Sequence, residues 1–483
     1  MTPSAFHPND STAQRASDRG GGHSRSVASP DDFRDPSERP DDDDRIVVTG
    51  LGAVSAAGLG ADSLRQMVLE GQRKLTRSGD HLVSPLNDFE PKEHVRPRKA
   101  LKVMCREIQT AFAAAQMAVK QSGLEIAGPD DEASPPKRTV HPADPAAVDD
   151  SRNNLSIAAD RVGTVFGCEM LYDPSELQEA VTTAIENEGH HLGDGNAATP
   201  VEFGKAAMKK VSPLWLLKYL PNMPACHVGI ALGVTGPNNT LVLGDISGDA
   251  AIAEAAGYLR RGIADVVVVA ASGTRINETR LTYHGDLPLL RIGRDAVPSD
   301  WASAGKPGDA DSRGVVGGEG AAAIVLERYR WAESRHAKIL AEFLGCNRSF
   351  VPSDAIAGPR VRTAQRLPKL RRGSPDSVRH VLDSAWQLAS EAGWTIDECW
   401  SPRCGDPSRD AAIAEGWNAS ALTNPIEESF EATASVGHCG AASGLMSIAA
   451  ALAGESSERP SRTVMSLSST SEGSSVATVW AVR

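Results

Sequence analysis

The chain has 483 residues, of which 41% are hydrophobic, and its 50 basic and 62 acidic residues leave a net charge of −12. This length is sufficient for two packed halves and a large hydrophobic core. The composition excludes collagen-like, coiled-coil and disulfide-framework proteins. The acidic balance argues against nucleic acid or an anionic membrane surface as a partner.

The first 44 residues are rich in Ser, Pro, Gly and charge and contain no apolar run, so we expect a disordered tail without a signal peptide. Order is predicted to begin at "RIVVTGLGAVSAAG" from Arg45, as a strand that meets a glycine turn, followed by the helix "DSLRQMVLEGQRK". The seven cysteines are scattered and lack CxxC spacing, which favours a reducing compartment such as the cytoplasm and argues against structural zinc. No apolar run reaches the length of a membrane span.

Near-continuous apolar runs predict buried strands along the rest of the chain. They are "RVGTVFGC", "NTLVLG", "ADVVVVAAS", "AAAIVLE", "AKILAEFLG", "RTVMSLS" and "SVATVWAV". Because helical patterns lie between several of them, we expect sheets covered on both faces, which is an α/β layered fold. Two polar insertions, 128–154 and 352–377, are predicted to be surface loops, and the basic cluster 360–372 in the second offers a docking point for an acidic partner.

The stretch "TLVLGDISGDAAIAEAAGYLRRG" predicts a buried strand that turns sharply into an amphipathic helix, with Asp245 at the junction. Such a junction directs a side chain and several free backbone N–H groups to one point, an arrangement that suits a nucleophile or an anion. We expect Asp245 to cap this helix, a role that contributes about 1 kcal/mol, in preference to acting as a nucleophile.

Five segments in order along the chain resemble those of β-ketoacyl synthases, the condensing enzymes of fatty acid and polyketide synthesis. They are "RIVVTGLGAVSAAG", "VSPLWLLKYLPNMPACHVGIALGVTGPNNT", the Asp245 turn, "DADSRGVVGGEGAAAIVLE" and "SVGHCGAASGLMSIAAAL". The resemblance covers Arg45 to Arg483 outside the insertions. It implies the thiolase-like fold, with two related α/β halves (45–330 and 331–483) in a layered αβαβα architecture.

The resemblance also assigns the catalytic positions. The family uses a cysteine that takes up an acyl chain as a thioester and two histidines that stabilise an enolate, and these positions correspond here to Asp245, Pro402 and His438. Only His438 matches the family's residue type. If the family arrangement holds, Asp245 and His438 form an ion pair.

The pocket positions implied by the resemblance depart from the family as well. Thr433 takes the place of a lysine usually found five residues before the retained histidine, and Glu319 and Gly473 are further pocket candidates. Glu472 falls in or near the loop that helps form the family's oxyanion hole, where a carboxylate opposes the charge to be stabilised. Glu319 lies in "GVVGGEG", whose glycines we attribute to close backbone packing, since the run lacks the Lys-Ser/Thr of a phosphate-binding loop.

The remaining cysteines and histidines that could act as nucleophiles or metal ligands are interpreted as structural residues. Cys168, Cys404 and Cys439 are candidates for a replacement nucleophile, Cys404 foremost, but buried cysteine is common as a small apolar residue. His190 and His191 suggest a metal, although adjacent histidines without a third ligand usually form a polar loop. We therefore predict neither a metal nor a cofactor.

Three functions remain open. The first is a non-condensing partner of an active ketosynthase, similar to chain-length factors, which acts by association with a ketosynthase paralogue. The second is an enzyme of altered chemistry, such as a malonyl-thioester decarboxylase that uses His438. The third is a non-catalytic acyl-binding scaffold. The expected partners are acyl carrier protein, acyl thioesters and either a paralogue or a second copy, and the family's dimer pairs the strand that corresponds to "NTLVLG".

Overall fold

The computed structural model describes residues 45–127, 156–169, 175–186, 199–211, 214–282, 287–293, 301, 304–354, 371–420, 428–454 and 462–483. The predicted tail, the insertion 128–154, the two adjacent histidines 190–191 and most of the basic loop lie outside these residues. The loop predicted over 352–377 is shorter at its end, because a helix begins at Pro375 and Ser374 caps it through the Ser377 amide.

Thirteen strands of the described chain form a single sheet. They are β1 (Ile46–Ser55), β2 (Gly58–Leu59), β3 (Thr76–Ser78), β4 (His81–Ser84), β5 (Val162–Gly167), β6 (Asn238–Leu241), β7 (Val266–Thr274), β8 (Gly317–Arg328), β9 (Ala341–Phe350), β10 (Glu398–Trp400), β11 (Glu428–Phe430), β12 (Arg462–Ser469) and β13 (Ser474–Val482). All seven apolar runs that predict strands therefore coincide with strands, although β9 begins four residues later than its run.

Helices and short 3-10 turns connect the strands. The α-helices of the described residues are α1 (Ala61–Leu69), α2 (Pro91–His94), α3 (Arg106–Ser122), α4 (Ser175–Glu186), α5 (Pro200–Lys210), α6 (Met223–Leu232), α7 (Ser247–Arg260), α8 (Glu278–Thr282), α9 (Tyr329–Ser334), α10 (Pro375–Glu391), α11 (Pro407–Asn418), α12 (Ala432–Val436) and α13 (Ser443–Leu452). The 3-10 turns are Arg98–Val103, Ala159–Arg161, Trp215–Tyr219 and Gly440–Ala442. None of these helices is both long and apolar enough to cross a membrane.

The sheet contains the same strand arrangement twice. In the first set, β1 pairs antiparallel with β8 and β8 pairs antiparallel with β7, while β5 lies parallel between β7 and β6. In the second set, β9, β13, β12, β10 and β11 repeat those pairings in the same order. The sets meet where β1 pairs antiparallel with β9. This repeat is the pair of related α/β halves expected of a thiolase-like fold, and we keep the proposed division at residue 330, which falls within α9.

Three apolar clusters place the helices in layers. The outer face of the first set packs against α3 and α6, and the outer face of the second set packs against α10. Between the two sets, α7 and α13 form a central layer. Strand β7 shows how alternation produces the layers, since Val267 and Val269 face the central cluster while Val266 and Val268 face the outer one. The five layers are the αβαβα architecture.

Glycines allow strands and helices to approach closely in the first set. A Cβ on Gly50 or Gly52 would lie 2.0 Å from a carbonyl oxygen of α3. Strand β1 continues through these glycines to Ser55, and the predicted order of strand, turn and helix is confirmed, since the turn lies between Ser55 and α1. In "GVVGGEG", a Cβ on Gly318 would lie 2.3 Å from the Val436 carbonyl oxygen, which confirms close backbone packing as the role of that run.

Candidate functional site

Asp245 lies in the short turn between β6 and α7. Gly244 adopts a positive φ of 62° there, a conformation that glycine tolerates best. The Ser247 hydroxyl accepts a hydrogen bond from the Leu243 amide (2.9 Å) and donates one to the Gly244 carbonyl (2.6 Å), so the turn is held by its own residues. The Asp245 side chain is buried, in the central layer of the molecule.

The Asp245 carboxylate binds two guanidinium groups and does not cap the helix. Arg275 donates to Oδ1 at 3.0 Å, Arg409 donates to Oδ2 at 2.5 Å, and α7 has no side-chain cap. The predicted capping role is therefore wrong. The physical reason is that a charge-assisted bond from a guanidinium is stronger than a bond from a neutral backbone N–H.

His438 contacts the same carboxylate, as the family arrangement implies. Its Nε2 lies 3.3 Å from Asp245 Oδ2, within ion-pair distance but without hydrogen-bond geometry. Its Nδ1 accepts a hydrogen bond from the Gly440 amide at 3.3 Å, so a neutral ring carries its proton on Nε2. His438 therefore presents a donor, and not a basic nitrogen, to the site.

The charge state of Asp245 follows from these neighbours. Burial alone would raise the pKa of its carboxyl, but attraction to His438, Arg409 and Arg275 outweighs burial and holds the pKa well below its usual value. Asp245 is a fixed anion at neutral pH.

A second buried carboxylate extends the arrangement. Glu169, which follows β5, accepts from Arg275 at 3.0 Å, from Arg280 at 2.7 Å and from the Ala441 amide at 2.9 Å. Arg275 thus bridges the two carboxylates, and Arg409 also donates to the Ser469 carbonyl oxygen. We call this group the charge cluster; its members are Asp245, Glu169, Arg275, Arg280, Arg409 and His438.

The predicted catalytic positions lie together. One small cavity is lined by Asp245, Pro402, Thr433 and His438, four residues that the resemblance assigns to the site. Pro402 has no N–H to donate, and the Thr433 hydroxyl donates to the Arg403 carbonyl oxygen at 2.5 Å. Among the residues that line the cavity, His438 is the one imidazole.

The other predicted pocket residues do not line this cavity. Glu319 accepts from the Leu86 amide at 3.0 Å and pairs with Arg106 at 3.5 Å. Gly473, with φ 108°, lies in the turn between β12 and β13, where a Cβ would meet the Val351 carbonyl oxygen at 2.0 Å. Glu472 in the same turn is exposed.

The candidate replacement nucleophiles are buried thiols. Burial raises the pKa of Cys168, Cys404 and Cys439 far above the usual value, so each is protonated at neutral pH. Cys404 packs with Leu287 and Val315 in a small apolar cluster. These surroundings support their interpretation as small apolar core residues.

Side chains occupy most of the volume around Asp245. Two spaces adjoin the charge cluster among the described residues, and each leaves room for about one water molecule. Small-molecule sites usually enclose roughly 300–1,000 Å³. The first space is lined by Asp245, Pro402, Arg409, Thr433, His438, Ser443, Gly444, Ser447, Leu467, Ser468 and Ser469. The second is lined by Arg275, Arg280, Leu287, Leu289, Val315 and His438.

No group of three potential metal ligands occurs in the described part of the chain. The two adjacent histidines, 190 and 191, lie outside it.

Sequence reasoning did not identify Arg275, Arg409 and Glu169 as site residues. Arg275 and Glu169 each follow the carboxyl end of a strictly buried strand, β7 and β5 respectively. A charged residue at that place is a usable signal, because functional groups of α/β sheets gather at the carboxyl ends of strands. Arg409 stands three residues after Asp406 in a polar stretch, and nothing in the local pattern indicates that it is buried.

Comparison with known proteins gives consistent matches. The family profile described as "Beta-ketoacyl synthase, N-terminal domain" matches residues 43–332. A 3-oxoacyl-[acyl-carrier-protein] synthase 2 of Staphylococcus aureus (strain COL) is 26% identical over 309 residues. That match covers 62% of this chain and spans 62% of the relative's length.

Two solved structures share the fold. The ishigamide ketosynthase/chain length factor has a TM-score of 0.62 at 17% identity and covers 91% of this chain and 99% of its own. A type II polyketide synthase acyl-carrier protein in complex with its ketosynthase has a TM-score of 0.59 at 16% identity, with the same two coverages.

Proposed function

This chain belongs to the β-ketoacyl synthase family, and we propose that it is a non-condensing partner subunit of an active ketosynthase in fatty acid or polyketide-type synthesis, similar to a chain-length factor. The observation that carries the proposal is the state of Asp245. At the position that the resemblance assigns to the family's cysteine, this chain has a carboxylate that two guanidinium groups hold in place.

Chemistry at this position argues against condensation by this chain alone. A carboxylate that attacked a thioester would form a mixed anhydride, which hydrolyses readily and stores an acyl group poorly for carbon–carbon bond formation. Asp245 is also a weaker nucleophile than a free carboxylate, since its lone pairs bind Arg275 and Arg409. Pro402 further removes one of the donors that would stabilise the enolate.

Association with a second chain has support from the sheet. Strand β6 ends the strand path on the side of the first set, and its outer edge has no strand beside it in the described residues. Val242 and Leu243, which follow β6, are 45% exposed. An open strand edge flanked by exposed apolar side chains favours pairing with another chain, and acyl carrier protein is the further partner that we expect.

Two measurements test the partner role. The tagged full chain, purified from its native host, is expected to bring down a ketosynthase that carries an active-site cysteine. Intact-mass analysis after incubation with acyl-carrier protein is expected to show no acyl adduct. A stable homodimer with no such partner, or a stable acyl adduct with carbon-chain formation by this chain alone, would contradict the proposal.

A second candidate is decarboxylation of a malonyl thioester, which needs no acyl-cysteine. The observation that favours it is the Nε2–H of His438, a donor that faces the cavity and suits a developing enolate oxygen. Release of carbon dioxide from malonyl-acyl carrier protein, lost in His438→Gln but retained in Cys404→Ala, would support this function over the first. The third candidate, an acyl-binding scaffold, requires a larger apolar pocket than the two described spaces provide.

A further inference from the structure

A continuous uncharged stretch of the chain leads into the turn between β6 and α7. Residues 219–244 contain no Asp, Glu, Lys or Arg, although charged residues make up 23% of the chain. Helix α6 lies in this stretch and packs against both β6 and the 3-10 turn Trp215–Tyr219. Yet Ile230 on α6 is 77% exposed, and Val242 and Leu243 after β6 are each 45% exposed. A helix and a strand edge that are uncharged and apolar on their exposed sides favour contact with another chain.

The outer edge of β6 directs backbone groups away from the rest of the sheet. The Cys168 amide, which follows β5, donates to the Leu241 carbonyl oxygen at 3.0 Å. Because neighbouring residues of a strand direct their backbone groups to opposite sides, Thr240 directs its own away from β5. The Asn239 side chain accepts from the Thr240 amide at 2.8 Å, a contact that the carbonyl oxygen of a partner strand can replace. The edge therefore fits a partner that supplies a strand, whereas a strongly charged partner would find no counter-charge on 219–244.

The turn after β6 holds its exposed residues in one conformation. Leu243 and Gly244 are exposed, and the buried Ser247 hydroxyl accepts from the amide of the first (2.9 Å) and donates to the carbonyl oxygen of the second (2.6 Å). The next residue, Asp245, is bound at 2.5 Å by Arg409, which α11 of the second strand set supplies. Since glycine has wide backbone freedom, Gly244 alone would not hold this conformation. Ser247 and Asp245 therefore fix the edge that a partner would contact.

We propose that Asp245 and Ser247 are positioning residues for association, which hold Val242–Gly244 in the conformation that pairs with the strand edge of a ketosynthase chain. The role rests on the proposed partner function and assigns it a surface. A chain of the same fold is the occupant, because it has the corresponding strand at its own sheet edge and two such edges can pair. A segment that is fixed before contact loses less conformational entropy on binding, so the ion pairs of Asp245 serve affinity.

The affinity of the full chain for the ketosynthase that co-purifies with it measures this role. We expect the dissociation constant to rise about tenfold in Asp245→Asn and in Ser247→Ala, because each variant releases one anchor of the turn. Asp265→Asn is the matched control. Asp265 is a 0% exposed carboxylate bound by Arg161 (2.7 Å) and Arg328 (3.5 Å), and it lies at the amino end of β7, whereas the turn follows the carboxyl end of β6. Its substitution should lower stability and leave the dissociation constant at the parent value.

Hydrogen exchange locates the effect along the chain. In the free protein, the amides of 238–244 are expected to exchange faster in Asp245→Asn and in Ser247→Ala than in the parent, and to be unchanged in Asp265→Asn. Addition of the ketosynthase should protect the same amides in the parent protein, since a partner strand supplies acceptors for them. A variant that lost affinity through lower overall stability alone would show no selective change at 238–244.

Equal dissociation constants in the parent, Asp245→Asn and Ser247→Ala would overturn the positioning role, and so would an equal rise in Asp265→Asn. Absence of protection at 238–244 in the complex would overturn the surface. Each of these results leaves co-purification of the ketosynthase intact, so the partner function would survive them. If no ketosynthase co-purifies with the parent chain, the partner function itself fails and the positioning role fails with it.

Discussion

Replacement of Asp245 by asparagine removes the central anion of the charge cluster while keeping the shape of the side chain. Arg275 and Arg409 then remain in a buried site without the carboxylate that both of them bind. Their side chains are 8% and 1% exposed, so water cannot substitute freely for the lost charge. The substitution therefore tests whether Asp245 is a structural anion.

The expected loss can be worked from the remaining contacts. Removal of one partner from a buried ion pair typically costs roughly 3–5 kcal/mol. Arg275 keeps Glu169 and Arg409 keeps the Ser469 carbonyl oxygen, so each guanidinium retains one acceptor. We accordingly expect the lower end, with a decrease of about 3 kcal/mol in the free energy of unfolding of Asp245→Asn.

Urea unfolding at pH 7, with linear extrapolation to water, measures this change. Asp249→Asn is the matched control, because it makes the same chemical change at a buried carboxyl that has no cationic partner, and we expect no loss of stability there. Arg409→Met combined with Asp245→Asn should recover part of the loss, since the double variant removes both charges of the pair.

The reasoning is refuted if Asp245→Asn is as stable as the parent, or if the double variant loses the sum of the two single losses. The first result would mean that the guanidinium groups do not need the carboxylate. The second would mean that Asp245 and Arg409 are not energetically coupled.

Three further predictions concern other parts of the fold. The pKa of Asp249 is about 7 in the folded protein, against an ordinary value of 3.8. The free energy of unfolding therefore falls as pH rises between these values, by up to about 4 kcal/mol. Asp249→Asn should abolish this fall in unfolding curves measured from pH 5 to 8. Gly273→Ala places a Cβ 2.2 Å from the Cys439 carbonyl oxygen and should destabilise the protein by roughly 2–3 kcal/mol. Gly204→Ala, in an open helical position, should stabilise it by up to about 1 kcal/mol. Thermal unfolding of the two variants measures the difference. Iodoacetamide at pH 8 should leave Cys404 unlabelled until denaturant is added, as peptide mass analysis would show, and rapid labelling of the native protein would contradict its burial.

Local pattern was sufficient to predict the longer strands of both sets, but it missed the three-residue strands β10 and β11. Runs such as "ADVVVVAAS" are apolar on both faces, and β7 is indeed buried on both sides between α3 and α7. The reason for the glycines in β1 is not visible in the local pattern, because it is the close approach of α3, which is distant in sequence.

The candidate site was likewise predicted only in part. The resemblance to the family predicted that Asp245, His438 and Pro402 lie close together, and one cavity is lined by all three. The acceptor role of Asp245 was missed because Arg409 lies 164 residues further along the chain, and a pairing over that separation leaves no trace in local spacing. A cap was the best local explanation, and a stronger long-range donor displaced it.

The charge cluster affects how the protein unfolds. Asp245 and Arg275 are supplied by the first strand set, whereas Arg409 and His438 are supplied by the second, so the ionic contacts join the two repeats across their seam. If one strand set unfolded while the other stayed folded, the folded set would retain buried charges without their ion-pair partners. Partial unfolding is thereby penalised, so we expect the two strand sets to unfold together.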